Sequence, residues 1–207
     1  ILIIKGVEKL GGVNSIDVIP DRIEAGTFLI AVAATGGKVK LNNVEPKHME
    51  SVISLLRKSN IDIVENKDSI IVTSNGLDIK ACDMETHEYP GFPTDLQAQW
   101  MLLMSLASGN STIKENIYFD RFTHILELNR LGCDVHLEEG SATIKGDRSL
   151  IGANVMSTDI RASAALIIAA LCAEGSTNIS RVYHIDRGYD KIEEKLAKVG
   201  AKIARKK

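Results

Sequence analysis

The sequence predicts an α/β domain built from three repeats, with apolar helices buried inside and mixed sheets packed around them. Three observations carry that expectation. A small-residue-rich apolar run of helical length recurs three times, each opened by an acidic residue and followed by glycine. A second motif, a helix end running into a strand, recurs behind each run at one spacing. Two of the three copies then show a hairpin signal. The chain has 207 residues, 44% of them hydrophobic and 25% charged, enough for one substantial core or two small ones.

The repeats are expected at about 20–74, 92–146 and 156–207, behind a leading segment 1–19. Ile1-Leu-Ile-Ile4-Lys-Gly6 reads as a strand already under way, and a start at Ile suggests a piece of a longer chain. The first helix of each copy opens at Pro20-Asp21-Arg22-Ile23-Glu24-Ala25, Pro93-Thr94-Asp95-Leu96-Gln97-Ala98 and Ser157-Thr158-Asp159-Ile160-Arg161-Ala162. It ends at Gly36-Gly37, Gly109 or Gly175, a common helix stop. Hardly charged, as in Ala162-Ser-Ala-Ala-Leu-Ile-Ile-Ala-Ala-Leu-Cys172, these helices should be buried on most sides.

The second helices alternate charges, as in Lys191-Ile-Glu-Glu-Lys-Leu-Ala-Lys198, and should face water. Behind them Leu56-Arg-Lys-Ser-Asn60-Ile-Asp-Ile63, Leu128-Asn-Arg-Leu-Gly132-Cys-Asp-Val135 and Leu196-Ala-Lys-Val-Gly200-Ala-Lys-Ile203 align without gaps. Asn60 stands where the other copies carry glycine, and Asn is the next most tolerant residue for a left-handed cap. Glu65-Asn-Lys-Asp68 and Glu138-Glu-Gly140 are the hairpin turns, while the third copy stops after Ile203. A spacing of about 70 residues exceeds the roughly 20–50 of common solenoid units, so three large units should share one core. Crossover helices imply parallel strand pairs and hairpins antiparallel ones.

Composition excludes several function classes. With 25 basic and 27 acidic side chains and a net charge of -2, the chain lacks the bulk positive charge of a nucleic-acid binder. No apolar run approaches the roughly 18 residues of a membrane span, and the first residues show no leader pattern. The expectation is a cytoplasmic protein with no nucleic-acid or membrane partner. Cys82, Cys133 and Cys172 are far apart, and neither they nor His48, His87, His124, His136 and His184 show metal-ligand spacing. The cysteines should fill core space, and His124 and His184 would line any cleft.

The stretches Pro20-Asp-Arg-Ile-Glu-Ala-Gly-Thr-Phe28, Gly91-Phe-Pro-Thr-Asp-Leu-Gln-Ala-Gln99, Phe119-Asp-Arg-Phe122, Ser157-Thr-Asp-Ile-Arg-Ala-Ser163 and Tyr183-His-Ile-Asp-Arg-Gly-Tyr189 together resemble the UDP-N-acetylglucosamine 1-carboxyvinyltransferase family, the MurA-type enolpyruvyl transferases. The resemblance covers essentially the whole chain but only the C-terminal half of such an enzyme. It implies two similar domains, each an inside-out α/β barrel of three repeats, closing on substrate between them. Residues 20–207 would be the C-terminal enolpyruvyl transferase domain, and 1–19 a crossover strand segment from the missing N-terminal domain. The implied reaction moves the enolpyruvyl group of phosphoenolpyruvate to the 3-hydroxyl of UDP-N-acetylglucosamine and releases phosphate, the first committed step of peptidoglycan synthesis. No cofactor or metal is implied. The chemistry, addition then elimination, needs a base for the sugar hydroxyl, cations for phosphate and carboxylate, and a proton donor for the methylene.

By this resemblance Asp95 is the general base at the sugar hydroxyl, a role able to contribute roughly 10²–10⁴-fold. The plainer alternative is a helix-start acid that caps and complements the dipole, and a helix N-terminus would in any case weaken it as a base. Arg161 lies in the first turn of an apolar helix, where a cation opposes the dipole, so either an anion or an ion pair with Asp159 or Asp186 should accompany it. Arg187 matches the arginine that binds phosphoenolpyruvate on closure, and Arg121 another active-site arginine whose alternative is a surface salt bridge. Asp159 matches an acid implicated in the later proton steps, or is simply a helix N-terminal carboxylate. Ile117 matches a position whose backbone contacts the UDP-sugar, although alone it would be taken for a strand core residue. Asp21, Arg22 and Glu24 are interdomain or hinge contacts, or a solvated helix start.

The family's reactive loop cysteine, which fosfomycin alkylates, and its Lys-Asn pair belong to the N-terminal domain and have no counterpart here, so the isolated chain is expected to be inactive. The family's extreme N-terminus, which completes this domain, is missing too and should leave a sheet position unpaired. The alternatives are half of a 3-phosphoshikimate 1-carboxyvinyltransferase and a structural or binding module without chemistry.

Overall fold

A computed structural model describes residues 1–206; Lys207, the last residue of the third repeat, lies outside the described residues. The first unit runs α1 (Arg22–Thr35), β1 (Gly37–Asn42), a 3-10 turn (Pro46–Met49), α2 (Glu50–Lys58), β2 (Asp62–Glu65) and β3 (Ser69–Ser74). The second runs β4 (Met84–Glu85), a 3-10 turn (Thr94–Leu96), α3 (Gln97–Leu106), β5 (Asn110–Lys114), α4 (Ile125–Arg130), β6 (Asp134–Glu138) and β7 (Ser141–Lys145). The third runs β8 (Asn154–Met156), α5 (Ile160–Cys172), β9 (Asn178–Ser180), a 3-10 stretch (Val182–Arg187) and α6 (Ile192–Lys198).

The apolar helices α1, α3 and α5 pack on one another, and α3 is buried without a break from Gln97 to Ser105. Such helices have no polar face to turn to water, so all sides are covered by protein. Close approach depends on Gly26, where a Cβ would lie 2.4 Å from Cδ1 of the fully buried Leu96. The second helices are one-sided, with Val52, Ile53 and Leu56 of α2 and Ile192 and Leu196 of α6 turned inward.

Each unit has its own sheet. In the first, β3 lies between β1 and β2, both antiparallel to it, and Val72 faces Val39 on one side and Ile63 on the other. The second is mixed in the order β4-β5-β7-β6, with β4 parallel to β5 and the rest antiparallel. The third is the parallel pair β8-β9. The three aligned helix ends share one geometry: Ile61 N donates to Leu56 O at 3.0 Å, Cys133 N to Leu128 O at 3.2 Å and Ala201 N to Leu196 O at 3.1 Å. Asn60, Gly132 and Gly200 supply the left-handed residue, with φ of 69°, 102° and 104°.

Two expected strands do not form. Residues 1–19 are exposed and pair with no sheet edge among the described residues, where β1 has no parallel neighbour like those of β5 and β9. Ala201–Ile203 follows its cap but is unpaired, because among the described residues the third unit has no strand equivalent to β3 or β7. Where that strand would lie there is instead a groove of about 620 Å³ between β9 and Lys202–Lys206, lined by Ile167, Leu171, Ile179, Ile192 and Ile203. Helices α3 and α5 also stop two residues before Gly109 and Gly175, at Ala107 and Ala173. Among the described residues no helix is long and apolar enough to cross a membrane.

Two predictions concern stability. Gly26→Val drives a side chain into Leu96 and should lower unfolding free energy by about 1–3 kcal/mol; an unchanged urea midpoint would show that Leu96 yields freely. His124, at the start of α4, is 1% exposed. Burial lowers its pKa to about 4, with the charge of Asp159 opposing and that of Arg121 assisting. An unfolded His124 binds a proton near its ordinary 6.5, so folding stability should fall as pH drops from 6.5 toward 4. Urea titrations at pH 7 and pH 5 should show a smaller difference in His124→Leu than in the unaltered chain; equal differences would place the loss elsewhere.

Candidate active site

The three repeats present equivalent aspartates at the starts of α1, α3 and α5, and two of them cap. Asp21 Oδ1 accepts from Ile23 N at 2.8 Å and Glu24 N at 3.0 Å. Asp159 Oδ1 accepts from Arg161 N at 2.7 Å and Ala162 N at 2.9 Å. Asp95 caps nothing. Its helix begins as the 3-10 turn Thr94–Leu96 without a side-chain cap, and its carboxylate lies between two guanidiniums. Arg121 Nη1 donates to Oδ1 at 2.6 Å and Arg161 Nη2 to Oδ2 at 2.8 Å.

Burial alone would raise the Asp95 carboxyl, but hydrogen bonds from Arg121 and Arg161, reinforced by their charges, outweigh it and hold the pKa below the ordinary carboxylate value. Burial would likewise lower the Arg161 guanidinium, yet Asp95 and then Tyr189 raise it. Arg161 thus opposes its helix dipole because Asp95 compensates it, and neither Asp159 nor Asp186 is its partner; Asp186 is held by Arg205 at 2.6 Å. Nor is Arg121 a surface ion pair, since only 21% of its side chain is exposed.

Behind this cluster a buried polar relay ties the helices together. Gln99 Nε2 of α3 donates to Thr27 Oγ1 of α1 at 3.1 Å, and Thr27 shares a hydrogen bond of 2.8 Å with Tyr189 Oη. Burial raises the Tyr189 phenol, although the Thr27 hydrogen bond and the nearby Arg161 guanidinium pull it down. The 3-10 stretch that carries Arg187 packs on α5, and a Cβ on Gly188 would lie 3.8 Å from Arg161 Nη1. Arg187 itself is exposed and makes no side-chain hydrogen bond or ion pair among the described residues.

Asp159 serves as a helix cap, while its Oδ2 accepts nothing among the described residues. Ile117 is 37% exposed on the loop after β5, not in a strand core, and its N–H is taken by Glu115 while its carbonyl accepts nothing. The charged opening of the first repeat is engaged within the chain: Asp21 caps, Arg22 lies over Tyr89 at 5.0 Å, and Glu24 pairs with Lys195 at 2.6 Å. His124 is buried and His184 half-buried, without partners for His124 Nε2 or either ring nitrogen of His184. Sequence reasoning missed Thr27, Thr94, Gln99, Glu115 and Tyr189. A readable signal existed for two of them, since polar Thr27 and Gln99 interrupt otherwise apolar helices.

A UDP-N-acetylglucosamine 1-carboxyvinyltransferase of Geotalea uraniireducens is 50% identical over 202 residues, 98% of this chain and 48% of that protein. One from Bartonella henselae is 51% identical over 207 residues, 99% of this chain and 48% of that protein. The chain therefore spans about half the length of the curated relatives it matches. Among solved structures, the enolpyruvyl transferase NikO from Streptomyces tendae superposes with a TM-score of 0.83 at 25% identity, covering 90% of this chain and 44% of that one. An EPSP synthase of Acinetobacter baumannii, at 14% identity and a TM-score of 0.69 over 90% of this chain and 44% of its own, shares the fold. With the EPSP synthase (3-phosphoshikimate 1-carboxyvinyltransferase) family model matching residues 1–196, the chain belongs to that family and has the enolpyruvyl transferase fold.

Proposed function

We propose that this chain is the C-terminal half of a cytoplasmic UDP-N-acetylglucosamine 1-carboxyvinyltransferase, transferring the enolpyruvyl group of phosphoenolpyruvate to the sugar 3-hydroxyl in peptidoglycan synthesis. The observation that carries the reading is the released aspartate. Of three equivalent carboxylates, Asp95 alone leaves its helix end and sits between Arg121 and Arg161. An acid at this slot caps by default, as Asp21 and Asp159 do with one carboxylate oxygen each.

In this reading Asp95 takes the proton of the 3-hydroxyl as the sugar oxygen bonds to C2 of phosphoenolpyruvate, and a donor in the other half protonates the methylene carbon. Elimination reverses the second transfer: a methyl proton leaves, the C2–O bond to phosphate breaks, and the double bond reforms. Cys133 and Cys172 suit no donor role, because burial raises Cys133 to about 11, despite Ser105 and Arg148, and Cys172 to about 12. Arg121, Arg161 and Arg187 supply cationic charge for phosphate and carboxylate, Asp159 Oδ2 serves the later proton steps, and Ile117 offers its backbone to the UDP-sugar. Clamped by two cations, Asp95 is a weak base in the free chain; a substrate anion that draws off either guanidinium strengthens it.

Three outcomes follow for the full-length enzyme. Asp95→Asn should lose most turnover, about 100-fold or more, while retaining UDP-sugar binding; near-normal turnover would remove the base assignment. Arg161→Met should let the Asp95 carboxyl rise and so move the acid limb of kcat/KM to higher pH, and an unmoved limb would show that another group titrates there. Arg187→Ala should mainly weaken phosphoenolpyruvate binding or the closure it triggers, whereas unchanged kinetics would leave it without a role in either. The family model supports a second reading, in which the acceptor is 3-phosphoshikimate. Turnover of that acceptor alone by the two assembled halves would establish it instead.

A further inference from the structure

Glu115 directly follows β5 and is 1% exposed, yet no cation pairs with it among the described residues. A carboxylate buried without a counter-charge has to be satisfied by hydrogen bonds, and this one has four. Oε1 accepts from Thr86 Oγ1 at 2.7 Å, Ile117 N at 2.9 Å and Tyr118 N at 3.0 Å, and Oε2 accepts from Thr94 Oγ1 at 3.0 Å. The same Thr94 oxygen accepts from Arg121 Nη1 at 3.1 Å, and that nitrogen also donates to Asp95 at 2.6 Å. The direction of the Thr94 hydroxyl is therefore fixed: its proton goes to Glu115 and its lone pair to Arg121.

We propose that Glu115 is a positioning residue that locks the Ile117 backbone, the loop bearing Arg121 and the turn bearing Asp95 into one register, with Thr94 as the relay. Among the described residues no other side chain hydrogen-bonds to all three. Thr86 extends the lock by accepting from Asn116 N at 2.8 Å. Because Glu115 consumes the Ile117 N–H, what that residue offers a ligand is its free carbonyl oxygen, so its partner on the acceptor substrate is a donor, a hydroxyl or an amide N–H. Glu115 thereby sets the geometry of the proton-accepting group and the polarity of an acceptor contact together. This inference rests on the reading of Asp95 as the base.

The relay can be cut without emptying space. In the full-length enzyme, Thr94→Val keeps the volume, removes the hydroxyl, and should lower kcat about 10-fold or more with KM for phosphoenolpyruvate within about 2-fold, because Arg121 and Asp95 lose their common reference. Thr94→Ser restores the hydroxyl and should recover kcat to within about 2-fold. Glu115→Gln should raise KM for the UDP-sugar about 10-fold and weaken hydrogen-exchange protection at the Ile117 and Tyr118 amides. If Thr94→Val turns over normally, or if it loses activity that Thr94→Ser does not recover, the relay is overturned. Should Glu115→Gln fold poorly, the Val and Ser pair at Thr94 still decides the matter. Near-normal turnover in Asp95→Asn would refute the base assignment, whereas an inactive Asp95→Asn beside a wild-type-like Thr94→Val refutes the relay alone.

Discussion

Mutual burial of three nearly charge-free helices constrains the rest of the molecule. Once α1, α3 and α5 cover one another, the polar groups in their first turns have little access to water and must satisfy each other. Thr27, Gln99 and Tyr189 do so along a neutral relay, and Asp95, Arg121 and Arg161 do so through charge. The sheets shield the outer sides of the helices and deliver the loop after β5 to the place where the first turns meet. Placing charge there is costly unless it is paired, and Asp95 with its two arginines meets that condition.

Repetition makes the exception visible. Each unit starts a buried helix with an aspartate, and at Asp21 and Asp159 the carboxylate does what elementary capping energetics favours. At the start of α3 a 3-10 turn replaces the cap and the carboxylate turns to the arginines. The resulting loss at the helix end is of the order of 1 kcal/mol. An internal control of this kind is stronger than the position of any single residue, because the two sister copies show the cap that this sequence slot makes by default.

Much of the architecture was legible because it rests on local rules. Charge-free runs announced the buried helices, and Asn60 against Gly132 and Gly200 announced three equal caps, which share one hydrogen-bond pattern. The hairpin turns also fell where Glu65–Asp68 and Glu138–Gly140 suggested. The failures concern pairing between distant segments: Ile1–Ile4 and Ala201–Ile203 have strand-like composition, but a strand needs a neighbour that composition cannot supply. At the site, Asp95, Arg121 and Arg161 were named but their mutual pairing was not, since they are brought together from three different elements. Glu115 escaped notice because a glutamate after a strand has the look of a surface residue until its four donors are in place.

The packing also divides unevenly. A large core joins the first two units to one face of α5 (Leu166, Ile168 and Ala169), whereas Ala164 and Ile167 of its other face join Ile185, Tyr189, Ile192 and Leu196 in a small satellite core. That satellite carries the 3-10 stretch with Arg187, supports Arg161 through Tyr189, and borders the groove where the third sheet has no centre strand. With fewer buried side chains and a sheet of two short strands to brace it, this region is expected to open at lower free energy than the large core. Asp95 and Arg121 are therefore anchored beside the large core, through Leu96 and Phe122, while Arg187 and the far side of Arg161 lean on the small one, a mechanical asymmetry within a single cluster of side chains.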